Sequence, residues 1–152
     1  MTRKRRKKTV SGADVVGAAR GWLGTPYHHQ ASAKGAGADC LGLVRGLWRE
    51  LYGREPEATP AYTRDWAEPS GEETLIDAAT RHMVPVESAE PGDVLIFRMS
   101  EHGIAKHLGV LSETGPEAAF IHAYDRHGVV ESRLSAPWAR RVAAVFRFPK
   151  KG

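Results

Sequence analysis

The chain carries a single cysteine, Cys40, where a glycine-rich loop meets an apolar-periodic run, in the stretch GADCLGLVRGLWRELYG. A thiol attacks or ligates as the thiolate, and a place in the first turn of a helix favours that form through unpaired backbone amides and the macrodipole. Gly35 and Gly37 just upstream let backbone and substrate come close to the sulfur. The same residue also suits a small buried packing side chain, a common fate of a lone cysteine. One thiol makes no internal disulfide, so the core alone has to hold the fold.

A nucleophilic thiol needs a base. KHLGVLSE and AAFIHAYD read as consecutive strands joined by a turn at Thr114-Gly115. A hairpin centred there sets His107 directly opposite His122 on one face, with Cβ atoms about 5 Å apart. The loop length also admits other pairings, and each histidine alone fits a strand residue with a satisfied polar tip. As a pair, one imidazole takes the thiol proton and the other orients it, the logic of thiol and hydroxyl triads. Cys40, His107 and His122 are also permissible zinc ligands, but the chain lacks the close ligand pairs that mark zinc sites. Of the remaining histidines, His82 falls near a helix end, His102 and His127 in turns, and His28-His29 in a loop able to line a pocket.

These side chains must be held by elements the pattern predicts. SGADVVGAARGWLG reads as a first helix, with Ser11 and Asp14 as a capping box and Val15, Ala19 and Trp22 at helical spacing. TPYHHQASAKGAGA is a loop. A second helix follows Asp39, with Cys40, Val44, Leu47 and Leu51 on one stripe and Gly53 as its stop. After an irregular proline-bearing segment, Ser70 and Glu73 suggest a capping box for a third helix running to about Met83. GDVLIFRM, KHLGVLSE, AAFIHAYD, GVVESRL and VAAVFRFP then read as five strands. Helices first and strands second, without βαβ alternation, predict an α+β domain with an antiparallel sheet.

Composition is that of a globular protein, 41% hydrophobic and 26% charged, within the size of one domain. Its apolar runs are too short to span a bilayer. Charge is uneven: six of the 22 basic residues are Arg3 to Lys8, leaving 16 against 18 acidic ones. The basic character thus belongs to an arm, residues 1–10, and the domain to residues 11–149. The arm fits a solvated tail, a strap onto an acidic protein partner, or contact with nucleic acid or anionic lipid. No apolar stretch follows the basic run, so a secretory signal is not expected.

The order GTPY, GADC opening a helix, EPGDVLIF, KHLGVL and FIHA resembles the NlpC family of papain-like cell-wall peptidases, across about residues 12 to 148. The resemblance implies a papain-like fold and a metal-free cysteine endopeptidase cutting peptidoglycan stem peptides, typically between D-glutamate and diaminopimelate. It implies Cys40 as nucleophile, His107 as general base and His122 as the residue that aligns it. Tyr27 is implied to bind substrate or the oxyanion, and Asp39 to receive the free amine of the stem peptide's L-alanine. Asp39 equally suits the N-cap of the Cys40 helix, worth about 1 kcal/mol. The compact form and GADCLGLVRGLWRELYG resemble the branch carried by prophages and gene transfer agents. That branch implies a virion or tail location acting in the target cell's periplasm, with the arm docked on a tail-hub or baseplate protein and no nucleic acid partner. Leu41 stands where the family usually has serine, and HHQASAKGAG replaces a glycine-tryptophan stretch. The alternatives are a structural tail subunit that keeps the fold with little activity, or an amidase or acyltransferase on the same scaffold.

Overall fold

A computed structural model describes residues 9–57, 74–100 and 103–151. The basic run, the Ser70/Glu73 pattern and His102 lie outside the described residues.

Helix α1 spans Gly12–Arg20. Its capping box closes in both directions: the Asp14 amide donates to Ser11 Oγ at 3.1 Å, and the Ser11 amide donates to Asp14 Oδ2 at 2.9 Å. Strands β1 (Ser32–Ala33) and β2 (Gly37–Ala38) form a small hairpin in the loop before the cysteine. Helix α2 spans Cys40–Tyr52, capped by Asp39 and ended by Gly53 in the left-handed region at φ 85°.

The two helices pack through Gly46, where a Cβ would lie 2.1 Å from the Trp22 ring. Only a bare backbone lets that indole sit against α2. Trp22 closes the contact by donating from Nε1 to Glu50 Oε2 at 2.9 Å.

Helix α3 (Thr74–His82) precedes the sheet. Strands β3 (Val84–Pro85), β4 (Val94–Arg98), β5 (Ala105–Glu113), β6 (Ala119–Tyr124), β7 (Gly128–Arg133) and β8 (Val142–Arg147) pair antiparallel in the order β3-β8-β4-β5-β6-β7. The four-residue helix α4 (Ala136–Ala139) links β7 to β8. The α+β architecture predicted from the chain is the one observed. The five predicted strands are all present, and β3 adds a two-residue edge that is too short to leave a period-2 signal.

The sheet is buried on both faces at its centre, which explains the unbroken apolar run VLIF in β4. Val94 and Ile96 join the core under α1 and α2, with Ala19, Trp22, Leu43, Leu47, Val110 and Ile121. Leu95 and Phe97 join Leu111 and Phe120 in a second cluster, which Trp138 of α4 covers. Just before the inner strand β4, Asp93 is a buried carboxylate held by Arg147, Nε to Oδ1 at 2.8 Å and Nη2 to Oδ2 at 2.9 Å.

Candidate active site

Cys40 is the first residue of α2, and Asp39 builds the site around it. One Asp39 oxygen accepts the Gly42 amide at 2.7 Å and the other accepts the Gln30 amide at 2.7 Å. At Gly42 a Cβ would stand 1.8 Å from the Ala31 carbonyl oxygen, so only glycine lets the preceding loop lie flat on the helix start. Ser32 and Arg49 tighten the same seam, Ser32 Oγ donating to the Gly42 carbonyl at 2.6 Å and Arg49 Nη2 to the Ser32 carbonyl at 2.6 Å.

Opposite the helix start, the β4–β5 pairing slips. Phe97 pairs with His107 but Arg98 pairs with Ala105, which leaves Lys106 as the extra residue of a bulge. That bulge brings Lys106 to the sulfur. The Cys40 thiol donates to the Lys106 carbonyl at 3.8 Å, and the amides of Leu108, Leu41 and Cys40 itself are aimed at the sulfur. Strand alternation alone gives no sign of this irregularity.

His107 and His122 meet, with Nε2 of the first 2.8 Å from Nδ1 of the second. They are not directly opposite, as a turn centred on Thr114-Gly115 required. Observed pairs such as Val110–Ile121 and Leu111–Phe120 shift the register by two residues, because residues 115–117 form a 3-10 turn inside the loop. A shift of two keeps every side chain on its expected face, so the imidazoles meet diagonally instead.

Both rings are buried, His107 8% and His122 0% exposed. Phe97, Phe120, Tyr124 and Trp138 surround them, with ring centroids between 4.2 and 6.1 Å from an imidazole. His122 Nε2 lies 2.9 Å from Ser132 Oγ on β7. Ser132 and Trp138 carried no signal in the sequence reading beyond strand alternation and an aromatic near a turn.

A cleft of about 220 Å³ is lined by Tyr27, His29, Asp39, Cys40, Lys106 and His107, with Tyr124 and Asp125 at its side. The structure therefore brings all but one of the sequence-selected residues to one cleft. His122 stands behind His107, away from the opening. Tyr27 is placed by a bridge to Ala38 beside the cysteine. His28 lines an adjoining hollow with His127, and His82 bonds Glu57 away from the cleft. Among the described residues no group of three His, Cys, Asp or Glu side chains is arranged to hold a metal ion, so the zinc alternative has no geometric support.

The resting charge state departs from the thiolate expected at a helix start. Burial, and after it the Asp39 carboxylate, push the Cys40 thiol up to about 12, against the opposing pull of the three backbone amides. Burial holds His107 down to about 4. Burial and the neighbouring His107 and His127 hold His122 down to about 3. At neutral pH the site is a neutral thiol sharing its cleft with a neutral His107 that a neutral His122 backs, and the sulfur's hydrogen-bond partner is the Lys106 carbonyl.

The NlpC/P60 family model matches residues 24–147, and the chain belongs to that family of cysteine peptidases and hydrolases. Solved structures share its fold. The NlpC/p60 domain of the peptidoglycan hydrolase SagA is 23% identical with a TM-score of 0.61, over 90% of this chain and 98% of that one. An NlpC/P60 family protein from Bacillus cereus ATCC 10987 is 18% identical with a TM-score of 0.64, over 93% of this chain and 41% of that one. NlpC1 from Trichomonas vaginalis is 20% identical with a TM-score of 0.61, over 95% of this chain and 48% of that one. No curated protein sequence matches the chain.

Proposed function

We propose that the protein is a cysteine endopeptidase of bacterial cell-wall stem peptides. The observation that carries this reading is the convergence of Cys40, at a helix start, and His107, backed by His122, on one cleft. Family membership supports the substrate class, since the SagA domain is that of a peptidoglycan hydrolase.

His107 spends Nε2 on His122, which leaves Nδ1 as the nitrogen for the thiol. When a peptide fills the cleft, Cys40 turns from the Lys106 carbonyl towards His107. Its proton passes to Nδ1 as the sulfur attacks the scissile carbonyl. Amides at the start of α2 and the Tyr27 hydroxyl stabilise the oxyanion. The imidazolium returns the proton to the departing amine, leaving a thioester on Cys40. Water, deprotonated by His107, then releases the acid and restores the thiol.

Keeping both partners neutral until substrate arrives protects the sulfur from stray electrophiles and oxidants, because the thiolate is the reactive form. Asp39 lines the cleft with both oxygens already bonded to backbone amides, so it acts first as a cap. In the full reading it also attracts the substrate's ammonium group.

The bond assigned is D-glutamyl-diaminopimelate, and the setting is a phage-like tail or gene transfer agent whose peptidase acts in the periplasm of the target cell. The sequence pattern around GADCLGLVRGLWRELYG supports that setting, and the basic arm supplies a strap for a tail-hub or baseplate protein. A reading as a structural tail subunit draws on the neutral resting thiol. Incubation with defined diaminopimelate-type stem peptides, followed by mass spectrometry, tests the assignment. A new amine terminus on diaminopimelate is expected; release of an intact stem peptide from sugar-bearing muropeptides, with free stem peptides left uncut, would indicate amidase chemistry.

A further inference from the structure

We infer that Ser132 is a positioning residue of this catalytic chain, holding His122 in the tautomer that keeps the thiol-facing nitrogen of His107 unprotonated. For the turnover readout the inference rests on the peptidase reading; the tautomer itself can be observed without it.

His122 has hydrogen-bond partners at both ring nitrogens, His107 Nε2 at Nδ1 and Ser132 Oγ at Nε2. A neutral imidazole carries one proton, so protonation at one end dictates acceptance at the other. With the proton on Nε2, His122 donates to the Ser132 hydroxyl and presents a bare Nδ1. His107 must then donate from its own Nε2, and its Nδ1 lone pair is open to the Cys40 thiol. With the proton on Nδ1 the chain runs backwards: His107 is protonated at Nδ1 and cannot accept the thiol proton.

Stacking cannot make this choice. Phe120 and Tyr124 lie 4.2 and 5.2 Å from the His122 ring at interplanar angles of 35° and 29°, and Trp138 meets it edge-on at 80°. These contacts fix the plane of the ring but leave the proton free to sit on either nitrogen. His122 can carry its proton on Nε2 without burying an unpaired N–H only where an acceptor meets that nitrogen, and Ser132 supplies one, reaching the ring diagonally across the β6–β7 ladder: His122 pairs with Val130, and Ser132 with Phe120. Ser132 is only half-buried, so its own hydroxyl proton can go to water while its oxygen accepts from Nε2. A hydroxyl brings no charge, so it satisfies that N–H without turning the pair into a stronger base, in keeping with two imidazoles that burial holds neutral.

The test uses the full chain and two substitutions, Ser132→Ala and Ser132→Thr. Nitrogen-15 NMR of the histidine rings at neutral pH reads the tautomer in each. His122 protonated at Nε2 and His107 at Nε2 is the expected wild-type pattern, a mixed or reversed pattern is expected in the alanine variant, and the wild-type pattern returns in the threonine variant. On stem peptides, Ser132→Ala is expected to lower kcat about tenfold, the scale of one hydrogen bond, with KM unchanged, and threonine to restore it. A wild-type His122 protonated at Nδ1, or an alanine variant with wild-type tautomers and kcat, overturns the proposal. If wild-type protein cleaves no stem peptide, the peptidase reading fails and the spectra alone still decide the tautomer.

Discussion

His107 Nε2 lies 2.8 Å from His122 Nδ1, and neither ring is more than 8% exposed. A pair of imidazoles that close and that dry resists protonation, since a first charge would have to be desolvated and a second would sit beside it. In the mechanism proposed above the pair is a base that is neutral at rest, and several consequences can be measured.

Stability should fall on both sides of neutrality. His107 and His122 sit at about 4 and about 3 in the folded state, below the ordinary 6.5 of the unfolded chain. Between those values the unfolded state binds more protons, so stability is lost as pH falls from about 6.5 towards 4. Cys40 sits at about 12, above 9.0, so the folded state holds its proton longer and stability is lost as pH rises from 9 towards 12. Melting temperature across pH is expected to show both losses; Cys40→Ala is expected to reduce the alkaline one without abolishing it, because burial also pushes the Tyr52 hydroxyl up to about 12.

Alkylation should be slow in the absence of substrate. At pH 7 iodoacetamide is expected to modify Cys40 more slowly than free cysteine, because the thiol lies far above ambient pH. Asp39→Asn removes the second cause of that elevation and should speed alkylation. It should also lower the melting temperature, since the new amide must face either the Gln30 or the Gly42 N–H. Alkylation by mass spectrometry as a function of pH measures both effects; unchanged rates in the variant would show that Asp39 charge does not act on the sulfur.

The ion pair between the start of β4 and the end of β8 offers an independent check on stability. Asp93 is buried, while its partner Arg147 is 39% exposed, so solvent screens part of the attraction. Arg147→Ala leaves the carboxylate buried and short of two charge-assisted hydrogen bonds, while the Glu90 amide, 2.8 Å from Oδ2, still holds it. A loss of about 2 kcal/mol is expected in denaturant titration, with the catalytic cleft unaffected.

Much of this site was legible in the chain. Capping chemistry announced α1 and α2, with Ser11 and Asp39 in place, and the switch from helical to β-branched runs announced the α+β order. Turn chemistry put His107 and His122 on adjoining strands of one face, although the 3-10 turn at Gly115–Glu117 moved the register by two. What escaped were features made by tertiary structure alone. The Lys106 bulge, which aims a carbonyl at the sulfur, depends on how β4 and β5 slip past one another. Ser132 becomes a partner only once β6 and β7 pair. The helix-start argument for a thiolate rested on amides of the kind Cys40 and Leu41 supply, but missed the Leu108 amide from β5 and had no measure of the burial and the Asp39 charge that outweigh all three.

Wall digestion tests the central claim most directly. Purified diaminopimelate-type peptidoglycan is treated with wild-type protein and with Cys40→Ala, and soluble peptides are counted by mass spectrometry. Release by wild type and none above background by the alanine variant is the expected result. Equal release from both, or none from either, would contradict a peptidase working through this sulfur.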